Sequence, residues 1–433
     1  MKSVCLFQAF YQHHIIILAR IMDNKNNTTC ANTEFSEAED AFLDIYVWWM
    51  EVFGNLSISI VGVVLNIITI VVLLTSNMRN NFFNRLLFCL AIFDNLYLLC
   101  EISEVSRLLN PTAAHQRAFA YFIYPVRSVC LCSSIYMTIV LTLERYQAIT
   151  FPVQYRARGS KNMTKRLLTY VLPVLGVTLI YYTPKFFDLE VVKETYCNPG
   201  GSFENSSKEI DEVSHTSNCT QEYIILPSKL RTNHHYVLWY MNISNLVLTA
   251  FIPVVSLLYL SCKIYLSLNK FIRRQPSCRQ TGPRQPLESI GSYKRQQRLD
   301  EKKTFILFSL VTVFVICHSL RIILNVDEFL NLPQFVKELQ KGCKNQKFWD
   351  HILIPLNQLF LIINASAHFF IYVFFDHGFQ QVLRKLYVIK SQIHSNKTAK
   401  STIENYTRSQ NGSPENNNEV ENIELGLVNN NSV

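Results

Sequence analysis

The chain alternates between long apolar runs and polar connectors. Seven runs stand out, at about 53–75, 83–105, 117–146, 167–185, 237–266, 304–326 and 350–375. A helix of about 20 apolar residues is long enough to cross the hydrocarbon core of a bilayer. The pattern therefore predicts an all-α protein, a seven-transmembrane helix bundle. After the last run, 376–390 sets Phe379, Val382, Leu386 and Val388 apart from Arg384, Lys385 and Lys390. That spacing predicts a short cytoplasmic helix lying on the membrane surface. Residues 391–433 are rich in Asn, Ser, Thr and Glu and read as a disordered tail. Met1–Arg20 has a small apolar patch, Ile15–Leu18, but His13-His14 makes it a poor signal peptide and it is too short to span. The expected organisation is an extracellular amino-terminal segment over 1–50, a seven-span domain over 51–390 and a cytoplasmic tail over 391–433.

Composition and charge orient this bundle. Charged residues make up 17% of the 433, against roughly 25% in a soluble domain. The net charge of +9 suggests nucleic acid at first, but the basic residues lie between apolar runs rather than on one soluble face. Nucleic-acid binding is excluded on that ground. The connectors after the first, third and fifth runs are basic, with nine Lys or Arg between Lys270 and Lys302. The segments 22–45 and 188–234 are acidic, and they hold glycosylation sequons at Asn26, Asn27, Asn205 and Asn218. Positive charge marks the cytoplasmic side of a membrane protein, and glycans mark the other. The two signals agree on a multi-pass plasma-membrane protein with its amino terminus outside. Of the 12 cysteines, none forms a metal-site spacing. Cys30, Cys197, Cys219 and Cys343 fall on the outer side, where disulfides persist. No nucleophile–base set, metal cluster or phosphate loop stands out, so enzyme chemistry is not expected. A transporter would need polar groups aligned through the bilayer or repeated halves, and the chain has neither.

A few polar residues break the apolar runs. The third run ends in Leu141-Thr142-Leu143-Glu144-Arg145-Tyr146, followed by Pro152 and a basic stretch. A charged pair at the mouth of a bundle is either permanent structure or a two-state element. Asp94 is a lone carboxylate in the second run. Two readings are open for it: a protonated interhelical hydrogen bond, or a hydrated core shared with Asn66, Ser134, Asn364 and His368 that binds a cation. Arg321, Asn325, Asp327 and Glu328 sit at the outer end of the sixth run and face either a ligand or solvent.

At Glu144-Arg145-Tyr146 the chain resembles the rhodopsin-like (class A) G-protein-coupled receptors, and more narrowly the invertebrate receptors for FMRFamide-type neuropeptides. The resemblance covers about 50–390. It is carried by Gly62-Val63-Val64-Leu65-Asn66, Leu90-Ala91-Ile92-Phe93-Asp94, Tyr124-Pro125, Pro184-Lys185-Phe186-Phe187, Pro253, the stretch from Phe314 to Arg321, and Asn364 to Tyr372. It implies that Glu144, Arg145, Tyr146, Pro152, Phe314 and Tyr372 form the activation switch, with Arg145 contacting a heterotrimeric G protein. It implies a sodium ion and water among Asn66, Asp94, Ser134 and Asn364. A kinase and arrestin would act on the serines and threonines of the tail. The ligand implied is an amidated, cationic peptide ending in Arg-Phe, which the acidic outer segments would attract. Tyr124, Phe186, Phe187, Tyr236, Trp239, Arg321, Asn325 and Glu328 are the pocket candidates, the aromatic ones suited to cation–π contact. Neutralising the acids of 204–212 is expected to slow association at low salt.

The departures from the family pattern are specific. Ala120 stands where the family has a cysteine at the outer end of its third helix, so the usual bridge to the long outer loop is not available. Cys197 and Cys219 would pair with each other, or with Cys30 or Cys343. Leu320 replaces a proline, His318 an aromatic switch residue, His368 an Asn or Asp, and Phe369 a proline. His368 packed near Asp94 would displace sodium if cationic, which predicts an agonist affinity indifferent to sodium; the alternative is a neutral, hydrogen-bonding core histidine.

Overall fold

The computed structural model describes residues 36–159, 163–197, 219–273, 287–331 and 348–388. The sequons at Asn26, Asn27, Asn205 and Asn218, Cys30 and Cys343, and the tail from 389 onward lie outside the described residues. Seven helices are long and apolar enough to cross a membrane. Span 1 is Ala38–Leu74, span 2 Phe82–Leu109, span 3 Ala113–Thr150, span 4 Met163–Phe187, span 5 Tyr236–Asn269, span 6 Thr304–Asp327 and span 7 Phe348–Phe375. Helices satisfy their own backbone hydrogen bonds, which lipid cannot do for them. Large apolar side chains such as Leu172, Val177, Ile180, Trp349 and Phe374 are left exposed on the bundle's surface, as suits a lipid-facing exterior.

Span 3 is the central rod. It packs against spans 2, 4, 5 and 6, while span 7 closes the ring against spans 1, 2 and 6. Tyr97, Leu98, Cys130, Leu361, Ile362 and Ala365 join spans 2, 3 and 7 in one buried cluster. Ile135, Leu257, Ile264, Leu307, Val311 and Phe314 join spans 3, 5 and 6 in another. Span 1 meets its neighbours closely at Gly62. A Cβ there would collide with the Ser366 side chain and lie 2.8 Å from Leu98 Cδ1, so the residue is glycine for lack of room.

Several spans begin or widen near proline. Span 5 winds as a wide π-helix over Tyr236–Ser244 and Leu246–Phe251 before Pro253. Proline offers no amide and crowds the preceding turn, and a wider winding accommodates both. Span 4 carries Pro173 inside its helix and ends in the tight turn Thr183–Phe187 around Pro184. Pro152 opens the helix Pro152–Gly159 after span 3, where its missing amide costs nothing.

The bundle is all-α, but the long connector after span 4 adds a hairpin that the sequence pattern did not reveal. Strand β1, Leu189–Cys197, pairs antiparallel with β2, Cys219–Pro227, from Leu189 opposite Pro227 to Cys197 opposite Cys219. Ser228 pins the base of the hairpin: its amide donates to Asp188 O at 2.9 Å and its hydroxyl to Phe187 O at 2.6 Å. The chain divides into two units at residues 377 and 378. The second begins within the helix 377–388, at the place expected for the amphipathic stretch.

Candidate functional site

Three polar clusters interrupt the apolar interior, and span 3 contributes to each. The middle cluster surrounds Asp94, which is 1% exposed. Ser134 Oγ donates to one carboxylate oxygen at 2.5 Å, and His368 Nδ1 lies 2.7 Å from the other. Spans 2, 3 and 7 are thus tied at one carboxylate. Asn66 Nδ2 donates to Ala365 O at 3.1 Å, linking span 1 to span 7. Asn364 is also buried there, its Oδ1 without a hydrogen-bond partner. A buried carboxylate needs partners for its charge, and here both are side chains. His368 occupies one oxygen of Asp94, where a resident sodium ion would otherwise bind, while the Ser134 hydroxyl, Asn66 Oδ1 and Asn364 Oδ1 are oxygen atoms of the kind such an ion takes. The proximity of His368 expected from helix packing is what the structure has.

The second cluster lies at the end of span 3 that carries Glu144 and Arg145. Arg145 Nε is 3.1 Å from Glu144 Oε2, and both side chains are almost fully buried. The guanidinium of Arg145 also sits 3.9 Å from the centre of the Phe83 ring, a cation–π contact that helps to keep a buried charge. The second Glu144 oxygen accepts a short hydrogen bond from the Tyr155 hydroxyl. Burial, and next the Glu144 carboxylate, push the Tyr155 phenol well above its ordinary pKa, so it stays a donor. Arg166 of span 4 covers the Tyr155 ring at 4.8 Å and the Phe82 ring at 4.1 Å. Pro152 starts the helix that brings Tyr155 back to Glu144. Tyr146 packs with the apolar cluster of spans 3, 5 and 6, Phe314 stacks on His318 with centroids 4.1 Å apart, and Tyr372 is buried.

The third cluster occupies the opposite end of the bundle and is the most highly charged. Arg127 of span 3 stands between Glu101 and Glu104 of span 2, 3.4 Å from Glu101 Oε2 and in a short contact with Glu104. Gln358 of span 7 donates to Glu101 at 2.5 Å. Tyr124 is the hub of a second group. Arg231 donates to its hydroxyl at 3.0 Å, and Lys185 lies 5.0 Å from its ring centre while donating to Ser128 at 3.2 Å. Tyr236 donates to the fully buried Asp188 at 2.6 Å. Arg321 reaches Asn245 at 3.4 Å, while its Nη1, Asn325 Nδ2 and both amide atoms of Asn242 have no hydrogen-bond partner among the described residues. The cluster is therefore two-sided. Two carboxylates share one guanidinium by spans 2, 3 and 7, and Lys185, Arg231 and Arg321 outnumber Asp188 by spans 4, 5 and 6.

Among the pocket candidates, Tyr124, Tyr236, Arg321 and Asn325 fall in or beside this cluster. Phe186 is half-buried, Phe187 and Trp239 are exposed at the bundle's surface, and the Glu328 side chain lies outside the described residues. Glu101, Glu104, Arg127, Lys185, Arg231 and Tyr155 were not among the site candidates read from the sequence. Glu101 and Glu104 had a signal, since acids three residues apart share one face of a helix and ionisable groups inside a membrane span are functional by default.

The comparisons with known proteins agree with this geometry. The model of the family described as serpentine type 7TM GPCR chemoreceptor Srw matches residues 53–390. An FMRFamide receptor of Drosophila melanogaster is 26% identical over 347 residues, 78% of this chain and 53% of that protein. The FMRFamide peptide receptor frpr-18 of Caenorhabditis elegans is 22% identical over 343 residues, 78% of this chain and 68% of that one. The chain spans about half the length of the Drosophila relative. With seven spans in order and the family's match running from the first of them past the last, the chain belongs to the serpentine seven-transmembrane G-protein-coupled receptors of the Srw family, a class of receptors and not of enzymes.

Proposed function

We propose that the chain is a plasma-membrane receptor for an amidated, cationic neuropeptide of the Arg-Phe-amide type, and that it signals through a heterotrimeric G protein. The observation that carries the reading is the pair of carboxylates, Glu101 and Glu104, converging on one guanidinium. A second guanidinium, from a ligand, can compete for them next to the Tyr124 ring, whose face suits a cation. The names of the two relatives support the peptide class. On this reading the amino terminus and the hairpin face outside, and the Arg145 end, the basic connectors and the tail face the cytoplasm. Residues 1–50 are the outer segment, 51–390 the receptor domain and 391–433 the tail on which a kinase and arrestin act. Ligand binding favours the state in which Arg145 leaves Glu144, turns toward the G protein and lets Phe314 and Tyr372 repack.

One observation favours a second reading. Among the described contacts Lys185, Arg231 and Arg321 gather beside Asp188, which suits a ligand with an acidic or oxygen-rich end, a free-acid peptide or a small chemosensory molecule. One screen separates the two. Cells expressing the full chain with a promiscuous G-protein readout receive amidated peptides, their free-acid forms and small acids, and Arg145→Ala serves as control. A dose-dependent response to amidated arginine peptides that disappears in Arg145→Ala supports the first reading. Full surface expression with silence to those peptides overturns it.

A further inference from the structure

The hairpin ends on two cysteines that share a rung. Cys197 and Cys219 are Cα partners, the last pair of the β1–β2 register. Facing residues of an antiparallel pair hold their Cα atoms about 4.5–5.5 Å apart, inside the range of about 4.4–6.8 Å that a disulfide needs. The other described cysteines, Cys89, Cys100, Cys130, Cys132, Cys262 and Cys317, are free and lie within the seven spans. Ala120, where the family's bridge to span 3 would start, is buried with no exposure at all. In place of that bridge, two weak contacts among the described side chains join the hairpin to the start of span 3. The Val191 amide reaches the Tyr121 hydroxyl at 3.5 Å, and Arg117 lies 5.2 Å from the centre of the Tyr223 ring.

We propose that Cys197 and Cys219 form a disulfide that closes the hairpin on itself. The inference rests on the orientation proposed above, which puts the hairpin in the oxidising secretory compartment during synthesis. The two thiols lose two protons and two electrons as the S–S bond forms. Thiol–disulfide exchange, through a mixed disulfide, passes the electrons to an oxidised dithiol oxidoreductase, which is released reduced. The bond fixes the register of β1 against β2 and closes the loop 198–218. It leaves the position of the hairpin over span 3 to the Tyr121 and Arg117 contacts and to the hydrogen-bonded base at Ser228. The covalent restraint that the family pattern implies between this loop and span 3 is thus moved to the hairpin itself, and the hairpin is left free to shift as one piece when a ligand as large as a peptide enters.

Peptide mapping of the full-length receptor from cultured animal cells tests this. Free thiols are blocked by alkylation before proteolysis without reductant, and the fragments are read by mass spectrometry. The expected result is one linked pair of peptides carrying Cys197 and Cys219, which separates on reduction. Recovery of both cysteines alkylated, or of either joined to Cys30 or Cys343, overturns the proposal. The sequons in the same loop, Asn205-Ser206-Ser207 and Asn218-Cys219-Thr220, report the compartment in the same digest. A glycan with both thiols alkylated sinks the disulfide and leaves the receptor reading standing. Absence of glycans with both thiols alkylated, and an antibody to the tail binding intact cells, sinks both. Cys197→Ser gives a second check on intact cells: a membrane-impermeant maleimide then labels Cys219, which stays unlabelled in the parent.

Discussion

Replacing His368 by Asn probes the polar core most directly. In the protein Ser134 and His368 each serve one oxygen of Asp94, at 2.5 and 2.7 Å, and Asp94 and His368 are 1% and 3% exposed. Removing one hydrogen-bond partner of a buried polar group typically costs about 1–3 kcal/mol, because the group left behind is unsatisfied. His368→Asn keeps a polar amide but shortens the side chain and opens room beside the Asp94 carboxylate. A sodium ion entering that room recovers part of the loss. For a dissociation constant of about 15 mM, a salt concentration of about 150 mM stabilises the variant by about 1.4 kcal/mol, a rise of a few degrees in Tm. The assay is thermal unfolding of the purified full chain in sodium chloride and in N-methyl-D-glucamine chloride at equal ionic strength, which holds screening constant. The parent should melt at one temperature in both salts. The variant should melt lower than the parent in the organic salt and regain part of the difference in sodium. A sodium-specific rise in the parent would refute the argument, since it would mean that an ion binds beside His368 after all.

Other expectations follow from the remaining clusters. Glu104→Gln leaves one carboxylate for Arg127 and a ligand guanidinium, so the preference for an arginine peptide over its citrulline analogue should shrink by about tenfold, the equivalent of ~1.4 kcal/mol; an unchanged ratio in dose–response curves would count against the acidic site. Tyr155→Phe removes a hydrogen bond to a buried carboxylate, worth about 1.5–3 kcal/mol, and should raise ligand-independent G-protein signalling several-fold, with unaltered basal signal as the contrary result. Gly62→Ala should lower thermal stability by about 1–3 kcal/mol through overpacking, and Ser366→Gly in the same chain should restore part of it; a second substitution that only adds to the loss would mean the two sites are not in contact.

The apolar runs made the seven spans legible because a bilayer imposes a length and a composition that no soluble helix must meet. The Arg145 region and Asp94 were legible for a related reason: a charge inside such a run is rare enough to be noticed. What stayed hidden was pairing over long sequence distances. Glu101 and Gln358 are 257 residues apart and meet at 2.5 Å, and nothing local in either segment announces the other. Tyr155 looked like one residue of a basic connector until the turn at Pro152 brought it to Glu144. The hairpin was obscured by its own composition. Leu-Glu-Val-Val-Lys-Glu-Thr-Tyr-Cys mixes charges with β-branched residues, and a strand is decided by its partner as much as by its own preference. Two of the aromatic candidates lie apart from the clusters: Trp239 and Phe187 are exposed at the surface, where an aromatic side chain meets lipid as readily as a ligand.

The three clusters belong to one mechanical part. Span 3 is continuous helix from Tyr124 to Thr150, and about 27 Å of it, at 1.5 Å per residue, separates Arg127 from Arg145. Ser134 lies between them and binds the carboxylate that spans 2 and 7 also hold. A packed helix of this kind moves as a body or not at all. On the proposed function, a ligand that takes Glu104 from Arg127 would act on the same rod that keeps Arg145 against Glu144 and Tyr155. The energies are comparable. The Tyr155 bond contributes about 1.5–3 kcal/mol, and coupling between distant sites usually amounts to about 1–3 kcal/mol. On the proposed function, a differential affinity of that size would be enough to shift span 3 between two positions. His368 ties span 7 to the same Asp94 carboxylate that Ser134 of span 3 holds, so spans 2 and 7 would restrain any movement of that rod.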